Sequence, residues 1–411
     1  MNKIKYIVID NRLFSNSKSE KIFNRIFENS KVSLKNINTL ILTYPEEEVT
    51  FPFESYFNES NISKKEIENK AKIRDIKAIF SHFSEVEECP IDTVKDRIKL
   101  GKQILYISTR TAKYIHRYPM NQECPGFLEG DFCRYCSNGC RYCFLNLTLR
   151  NRPIVTMYCD FTTINNSFKR LEKKGNNEIV NTGESGDMGN INGIFPEYWN
   201  IICEYAEKYN QTLLYVSKTD NIYDIPEATE KSKNNVYACS INTISGIDIL
   251  EPETASYQQR IEMLKIMKNK GYRIAARFDP IFIKKLYKDF FIEGKNCDFI
   301  DLDIRECYKV LDDLQQLEVE SIQFGMYRGF RNLSSFTDLK LPKNFAENFY
   351  LAKIDDYKQA RIKFPIEIRK SLYTELINYV ETTKNKRLCK EPEIHIKGEL
   401  GKCICRLNTK K

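Results

Sequence analysis

Short apolar bursts separated by charged stretches open the chain. Residues 4–9 (IKYIVI) read as a buried strand, 19–29 (SEKIFNRIFEN) as an amphipathic helix and 40–44 (LILTY) as a second strand. Residues 45–100 are charged and irregular apart from a helical patch near 64–79, and 104–108 (ILYIS) is strand-like again. This pattern predicts a small N-terminal α/β unit over residues 1–109.

From 110 to 334 the apolar period alternates between that of strands and that of helices. Strands are predicted at 177–182 (NEIVNT), 212–217 (TLLYVS), 236–242 (VYACSIN), 272–278 (YRIAARF) and 320–325 (ESIQFG), with a first one near 111–118. Helices are predicted between them, near 164–174, 197–208, 223–232, 256–270 and 305–315. Six strand–helix units in this order predict an α/β fold, a parallel sheet curled into a partial (β/α)6 barrel. In such a barrel the chemistry belongs on loops at the C-terminal edge of the strands. Residues 335–411 turn Lys/Glu-rich and predict a helix at 368–383 and strands at 393–397 and 402–406, a C-terminal α+β extension.

Composition narrows the class. A chain of 411 residues, 42% apolar and 29% charged, reads as globular and multidomain. No apolar run approaches the ~18 residues of a membrane span. The start, MNKIKYIVID, has a basic beginning but a short apolar run, which reads as a strand and not a signal peptide. The expected compartment is cytoplasmic. Lys+Arg exceed Asp+Glu by 64 to 56, a net charge of +8. That mild excess permits a nucleic-acid or other anionic partner, and a Lys-rich solvated surface would give the same balance.

Fourteen cysteines change the picture more. In a cytoplasmic chain, clustered cysteines point to metal before disulfides. The three histidines, His82, His116 and His395, are far apart in sequence and make no ligand spacing, so thiolates should hold most of any metal, as zinc or iron–sulfur. Cys136, Cys140 and Cys143, within the loop 133–146, have the spacing C-x3-C-x2-C followed by an aromatic. Three thiolates can bind three irons of a [4Fe–4S] cluster, leaving the fourth iron free to chelate the amino and carboxylate groups of S-adenosylmethionine. The competing reading pairs Cys133-x2-Cys136 with Cys140-x2-Cys143 on zinc, although zinc-binding pairs usually lie about ten or more residues apart.

The stretch CSNGCRYCFLNLTLRNRPIVTMY (136–158) resembles the cluster loop of the spore photoproduct lyase family, within the radical S-adenosylmethionine superfamily. A second block, SINTISGIDILEPETASYQQRIEMLKIMKNKGY (240–272), is similar to that family's S-I-N … E-P-x-T … R-I … G-Y segment. Residues 4–28 and 357–400 are similar more weakly. The resemblance implies a radical enzyme that cleaves S-adenosylmethionine to a 5′-deoxyadenosyl radical, is fed electrons by a flavodoxin- or ferredoxin-type donor and acts on nucleic acid. It further implies that Gly183 and Glu184 bind the cofactor's amino group, and that Asp187 contacts its ribose or amino group. Lys218 would meet the carboxylate, Ser240 and Asn242 the cofactor, and Tyr142 the adenine. Arg328 resembles a family arginine on a hairpin near the DNA lesion. Arg277 and Asp279, closing the fifth strand, either pair with each other or face the substrate.

The chain also departs from the family pattern. The family's hydrogen-donating cysteine after the second strand is replaced by the segment Gly183-Glu184-Ser185-Gly186-Asp187, and the tyrosine after the third cluster cysteine by Phe144. Glu184, Cys239 and Arg328 are therefore the catalytic candidates, Cys239 as a substitute hydrogen donor. Cys389, Cys403 and Cys405 are additional and form a candidate second thiol or metal site, residues 403 and 405 sharing one face if extended. Two other functions stay open: radical modification of a peptide or small metabolite, and a non-catalytic iron–sulfur or zinc protein that binds nucleic acid.

Overall fold

The computed structural model describes residues 4–10, 13, 17–30, 38–42, 79–80, 83–84, 91–110, 112–117, 128–174, 179–222, 224–281, 291–292, 304–330, 333–337, 339–340, 350–352, 361–363, 366–383 and 388–389. The first elements are β1 (Tyr6–Asp10), α1 (Ser17–Glu28), β2 (Asn38–Leu42), α2 (Val94–Gly101) and β3 (Ile104–Ser108). β1 lies between β2 and β3, parallel to both. All five residues of β1 and of β3 are buried, as their unbroken apolar runs predict. α2 begins at a capping box in which Thr93 and Asp96 satisfy each other's backbone N–H groups.

Next come β4 (Ile115–Arg117), β5 (Leu128–Gly130), β6 (Cys133–Arg134), α3 (Leu145–Thr148) and β7 (Val155–Tyr158). β7 pairs parallel with β3 and β6 pairs antiparallel with β7, so the first sheet runs β2-β1-β3-β7-β6 and crosses residue 109. The remaining elements are α4 (Phe161–Lys173), β8 (Ile179–Asn181), α5 (Met188–Asn192), α6 (Pro196–Lys208), β9 (Thr212–Ser217), β10 (Val236–Ile241), α7 (Ile244–Leu250), α8 (Tyr257–Asn269) and β11 (Arg273–Ile281), then β12 (Phe291–Ile292), α9 (Ile304–Gln316), β13 (Ile322–Met326), β14 (Arg328–Phe330), β15 (Leu339–Lys340), β16 (Tyr350–Ala352), β17 (Arg361–Lys363), α10 (Ile366–Thr382) and β18 (Leu388–Cys389).

The second sheet runs β18-β13-β11-β10-β9-β8-β5-β4. Its pairs are parallel except at the β4 edge, which is antiparallel to β5. β5, β8, β9, β10, β11 and β13 are the six barrel strands, the last five of them where the sequence pattern puts them. Alternation along them separates two apolar groups. Leu213, Tyr215, Tyr237, Cys239 and Ile241 join the main core with Trp199 and Leu264 of the helices. Their strand neighbours Leu214, Val216, Val236 and Ala238 form a smaller cluster with Ile179 and Ala275 on the inner face. Trp199 anchors the outer layer, its indole N–H donating to the Tyr237 hydroxyl at 2.9 Å and its ring packed edge-on to Tyr215.

Three sequence expectations differ from the structure. The strand that feeds the cysteine loop is β5, and the predicted strand near 111–118 is β4, its antiparallel edge partner. β5 escaped the pattern because it is three residues long and carries buried Glu129 beside Gly130. The predicted helix at 223–232 is irregular over residues 224–231 and ends in a single 3-10 turn, Ser232–Asn234; Pro226 lacks the N–H a helix needs. α5 and α7 were not anticipated. Both are short and start at side-chain caps in the segments that follow β8 and β10, Asp187 and Thr243. The strands predicted at 393–397 and 402–406 lie outside the described residues.

One close approach fixes α2 against the backbone that enters β7. A Cβ on Gly101, at the end of α2, would lie 1.7 Å from the Pro153 carbonyl oxygen, in the backbone that enters β7. Gly101→Ala must push these backbones apart. It is expected to destabilise the chain by about 1–3 kcal/mol, the cost of overpacking, read as a lower urea midpoint at unchanged slope.

Candidate active site

The cysteine loop leaves β5 and folds over the C-terminal edge of the barrel. Tyr135, in the left-handed conformation at φ 60°, turns the chain between Cys133 and Cys136. Its N–H donates to the Ser185 carbonyl, and its hydroxyl donates to Asn146 Oδ1 at 2.7 Å. Further on, Gly139 N–H donates to the Pro252 carbonyl and Arg141 N–H to the Leu250 carbonyl. Lys102 donates to the Asn138 carbonyl at 2.6 Å. Two amides fill the space beneath: Asn190 Oδ1 accepts from the Ser137 N–H and hydroxyl, and its Nδ2 donates to Asn138 Oδ1 at 3.0 Å. The loop is thus fastened to the segments after β8 and β10 by hydrogen bonds of its own backbone and polar side chains.

Cys136, Cys140 and Cys143 are free thiols on this loop. Burial pushes the Cys136 thiol well up from its ordinary value, with Asp187 adding, and pushes Cys140 up to about 12. Cys133 points elsewhere: it is buried, and its sulfur lies 3.0 Å from where a Cβ on Gly186 would sit. A tetrahedral zinc would draw its sulfurs to about 3.8 Å of one another at a bond length of about 2.3 Å. Among the described residues no three of these cysteines converge within 4.8 Å. Cys136, Cys140 and Cys143 are electrostatic neighbours on one short loop, the ligand count of a cubane that takes one cysteine per iron and leaves one iron open.

Beneath the loop lies a buried charge network. Glu251 and Arg260, both fully buried, form an ion pair at 2.6 Å. Arg260 also donates to the Ser240 and Ala255 carbonyls and the Thr254 hydroxyl, so its guanidinium is well occupied. The other Glu251 oxygen accepts from the Tyr142 hydroxyl and lies 3.4 Å from the Lys218 ammonium. Lys218 donates to Ser240 Oγ at 2.5 Å and lies 5.9 Å from the centre of the Tyr142 ring. Burial alone would raise the Glu251 carboxyl; the charges of Lys218 and Arg260 outweigh it and hold the group at about 2.

The sequence-derived cofactor residues gather here. Lys218 links Ser240, by hydrogen bond, to Tyr142, over whose ring it lies. Asn242 is buried next to Ser240, its amide donating to the Pro280 carbonyl and accepting from Thr243 N–H. Gly183 packs so tightly on Val216 that a Cβ there would approach its Cβ to 2.5 Å. Glu184 accepts from Asn181 at 2.7 Å and from Arg277 at 2.8 Å, which resolves Arg277: it reaches across to Glu184. Asp187 caps α5 and accepts from Ser217, the Lys218 N–H and Asn138. Both of its oxygens are committed to holding the loop to the strand ends.

Other candidates lie apart. Cys239 neighbours Ser240 in sequence but faces the helices, buried in the main core. Adjacent strand residues point to opposite faces, which removes Cys239 from the inner surface where a hydrogen donor is needed. Cys133, Cys159, Cys203 and Cys307 likewise pack in or against that core. Arg328 and Cys389 are in β14 and β18; Cys403 and Cys405 lie outside the described residues. Phe144 is 42% exposed beside the cluster loop.

Sequence reasoning missed two groups. Glu251 and Arg260 stand inside the second family-like block, but a charged pair on a loop and helix gives no sign of its burial. His116, Glu129 and Asp131 also converge, on the β4–β5 hairpin. There burial pushes the Glu129 carboxyl up to about 7 despite a 2.5 Å hydrogen bond from Ser185.

The spore photoproduct lyase family model matches residues 53–302. Two curated relatives, both spore photoproduct lyases, are 24% identical over 213 residues (Geobacillus sp. strain Y412MC61) and 22% identical over 218 residues (Bacillus subtilis strain 168). These alignments cover 51% and 52% of this chain, and span 60% and 62% of the relatives' own length. Among solved structures, a spore photoproduct lyase complexed with dinucleoside spore photoproduct superposes with a TM-score of 0.64 at 14% identity, covering 92% of this chain and 96% of that one. A double mutant of spore photoproduct lyase with bound AdoMet and the same dinucleoside gives 0.65 at the same identity and coverage. The likeness at this identity shows the shared fold.

The buried pair generates a stability prediction. Glu251→Gln leaves Arg260 charged and without its carboxylate, which is expected to cost about 3–5 kcal/mol. The wild-type contribution is full above the ordinary carboxyl value of 4.5 and is lost as pH falls toward about 2. Urea titrations between those pH values should show wild-type stability falling with acid, and that component of the slope missing in Glu251→Gln.

Proposed function

The chain belongs to the spore photoproduct lyase family, and from that premise we propose that it is a radical S-adenosylmethionine enzyme acting on nucleic acid. The observation that carries the reading is the placement of the three-cysteine loop over the strand ends that present Lys218, Ser240 and Glu184. Cys136, Cys140 and Cys143 would hold a [4Fe–4S] cluster. Lys218 would meet the cofactor carboxylate, Glu184 its ammonium, Ser240 and Asn242 its polar groups, and Tyr142 its adenine. When bound, cluster and cofactor supply one-electron reductive cleavage to methionine and a hydrogen-abstracting 5′-deoxyadenosyl radical.

The protein's own part is positioning. Glu251 orients Tyr142 through its hydroxyl and supports the Lys218 ammonium from below. Arg277 holds Glu184 toward the inner face, and Asp187 fixes the loop. An electron donor of flavodoxin or ferredoxin type would reduce the cluster. A nucleic-acid substrate is supported by the net charge of +8 and by relatives whose structures hold a dinucleoside lesion. Reversal of that lesion by the family's hydrogen relay is not part of the proposal. Glu184 and exposed Phe144 stand where the relay needs a thiol and a phenol, and neither offers a weak X–H bond.

Two outcomes follow. Anaerobically reconstituted protein should bind about four irons per chain and, once reduced, convert S-adenosylmethionine to 5′-deoxyadenosine and methionine. Alanine at Cys136, Cys140 or Cys143 should abolish both, and Lys218→Ala should weaken cofactor binding by about 1–3 kcal/mol. Tetrahedral zinc with no cluster after anaerobic reconstitution would sink this reading. With dinucleoside spore photoproduct, the reduced enzyme should consume cofactor without multiple-turnover release of thymine monomers. Clean release would return the chain to the lesion-repair reaction.

A further inference from the structure

The β4–β5 hairpin carries a cluster that the proposed cofactor chemistry does not use. Its antiparallel register sets His116 directly opposite Glu129, and Asp131 follows just past the end of β5. Glu129 is in turn paired with Asn181, Asn181 with Leu214 and Leu214 with Val236. The last two belong to the inner apolar cluster, so Glu129 stands in the row that lines the inside of the barrel. The three residues offer ligand atoms within 4.8 Å of one another.

We propose that His116, Glu129 and Asp131 form a binding site for a divalent first-row cation such as Mn2+ or Zn2+, beside the radical site. Each ligand keeps an atom for the cation. Asp131, 1% exposed, is held at Oδ2 by ion pairs with Arg110 and with Arg134, the latter at 3.2 Å, while its Oδ1 is buried without a partner. Glu129 accepts from the Ser185 hydroxyl at Oε1 and turns Oε2 toward His116. His116 Nε2 stands 3.5 Å from that oxygen, longer than a hydrogen bond of ordinary strength. Two ligands each about 2.1 Å from one cation are about 3.4 Å apart across a tetrahedral edge. An imidazole with two carboxylates is a nitrogen–oxygen set suited to Mn2+, Zn2+ or Fe2+. The outer oxygens are oriented by Arg110, Arg134 and Ser185, as hydrogen-bond partners behind the ligands orient them in metal sites.

The two arginines offset the two carboxylates, so the site is close to neutral and its affinity moderate. Ser185 belongs to the same loop as Glu184, so a cation here would adjoin the candidate cofactor-binding edge. Three protein ligands leave a coordination position open, and the group it would accept is an oxygen of a substrate or water.

The test is a Mn2+ titration of the cluster-loaded chain, with the cluster oxidised and EPR-silent, following the six-line signal of free Mn2+. About one Mn2+ per chain should be taken up below roughly 1 mM and be displaced by Zn2+. Glu129→Gln and His116→Gln should weaken uptake by at least about tenfold, and Ser185→Ala by a smaller factor. A Cys136→Ala/Cys140→Ala protein, unable to hold the cluster, should still take up the ion; this separates the site from the radical chemistry. Failure of the wild-type chain to bind Mn2+ or Zn2+ would overturn the proposal. So would equal uptake by folded Glu129→Gln, His116→Gln and Ser185→Ala proteins, or loss of uptake with the cluster cysteines. Circular dichroism establishes folding, and if the ligand variants do not fold, Ser185→Ala and the Zn2+ competition decide.

Discussion

A buried carboxylate at Glu251 is the constraint on which the site depends. Alone, it would be expelled from the interior or protonated. Arg260 neutralises it, and the guanidinium spends its remaining donors on the backbone around Ser240 and Ala255. The same carboxylate then has lone pairs left for Tyr142 and for Lys218. One burial event therefore sets the tyrosine of the cysteine loop, the lysine at the end of β9 and the backbone at the end of β10 in a fixed relation. A buried ion pair adds little net stability and contributes mainly geometry.

The second organising device is a hydrogen-bond network built around two amides. Ser137, Asn138 and Asn190 exchange hydrogen bonds beneath the cysteines, and Asp187 closes the network from the far side. Amide dipoles satisfy most of the loop, and the Asp187 carboxylate is the charge that this network places beside the cysteines. Lys218, Glu184 and Arg277 carry further charge around the strand ends.

Legibility in the sequence followed physical simplicity. β3 and β9 fall where their continuous apolar runs put them, because full burial leaves no competing signal. Lys218 and Ser240 were readable because each sits on or beside such a strand end, and the cysteines by their spacing alone. β5 was hidden by its composition: Glu129 and Gly130 interrupt the apolar run. α5 and α7 were hidden because one side-chain cap each, and not a periodic face, makes them start. Glu251 and Arg260 looked like surface charges, since nothing in a linear string reports that two opposite charges are buried against each other. His116 was set aside for lacking a nearby histidine, and only the hairpin register brings it to Glu129 and Asp131. The tail cysteines Cys403 and Cys405 lie outside the described residues.

The fastening of the cysteine loop has a consequence for biogenesis. Its anchors come from Lys102 before it and from Ser185, Asp187, Asn190, Leu250 and Pro252 after it. A nascent chain that has just extruded Cys143 has none of the later anchors, and its thiols are then open to oxygen and to stray metals. The loop takes its shape only when the segments following β8 and β10 have closed over it. A cluster held by this loop would therefore be inserted after synthesis of at least the first four barrel strands, into a chain already folded around the loop.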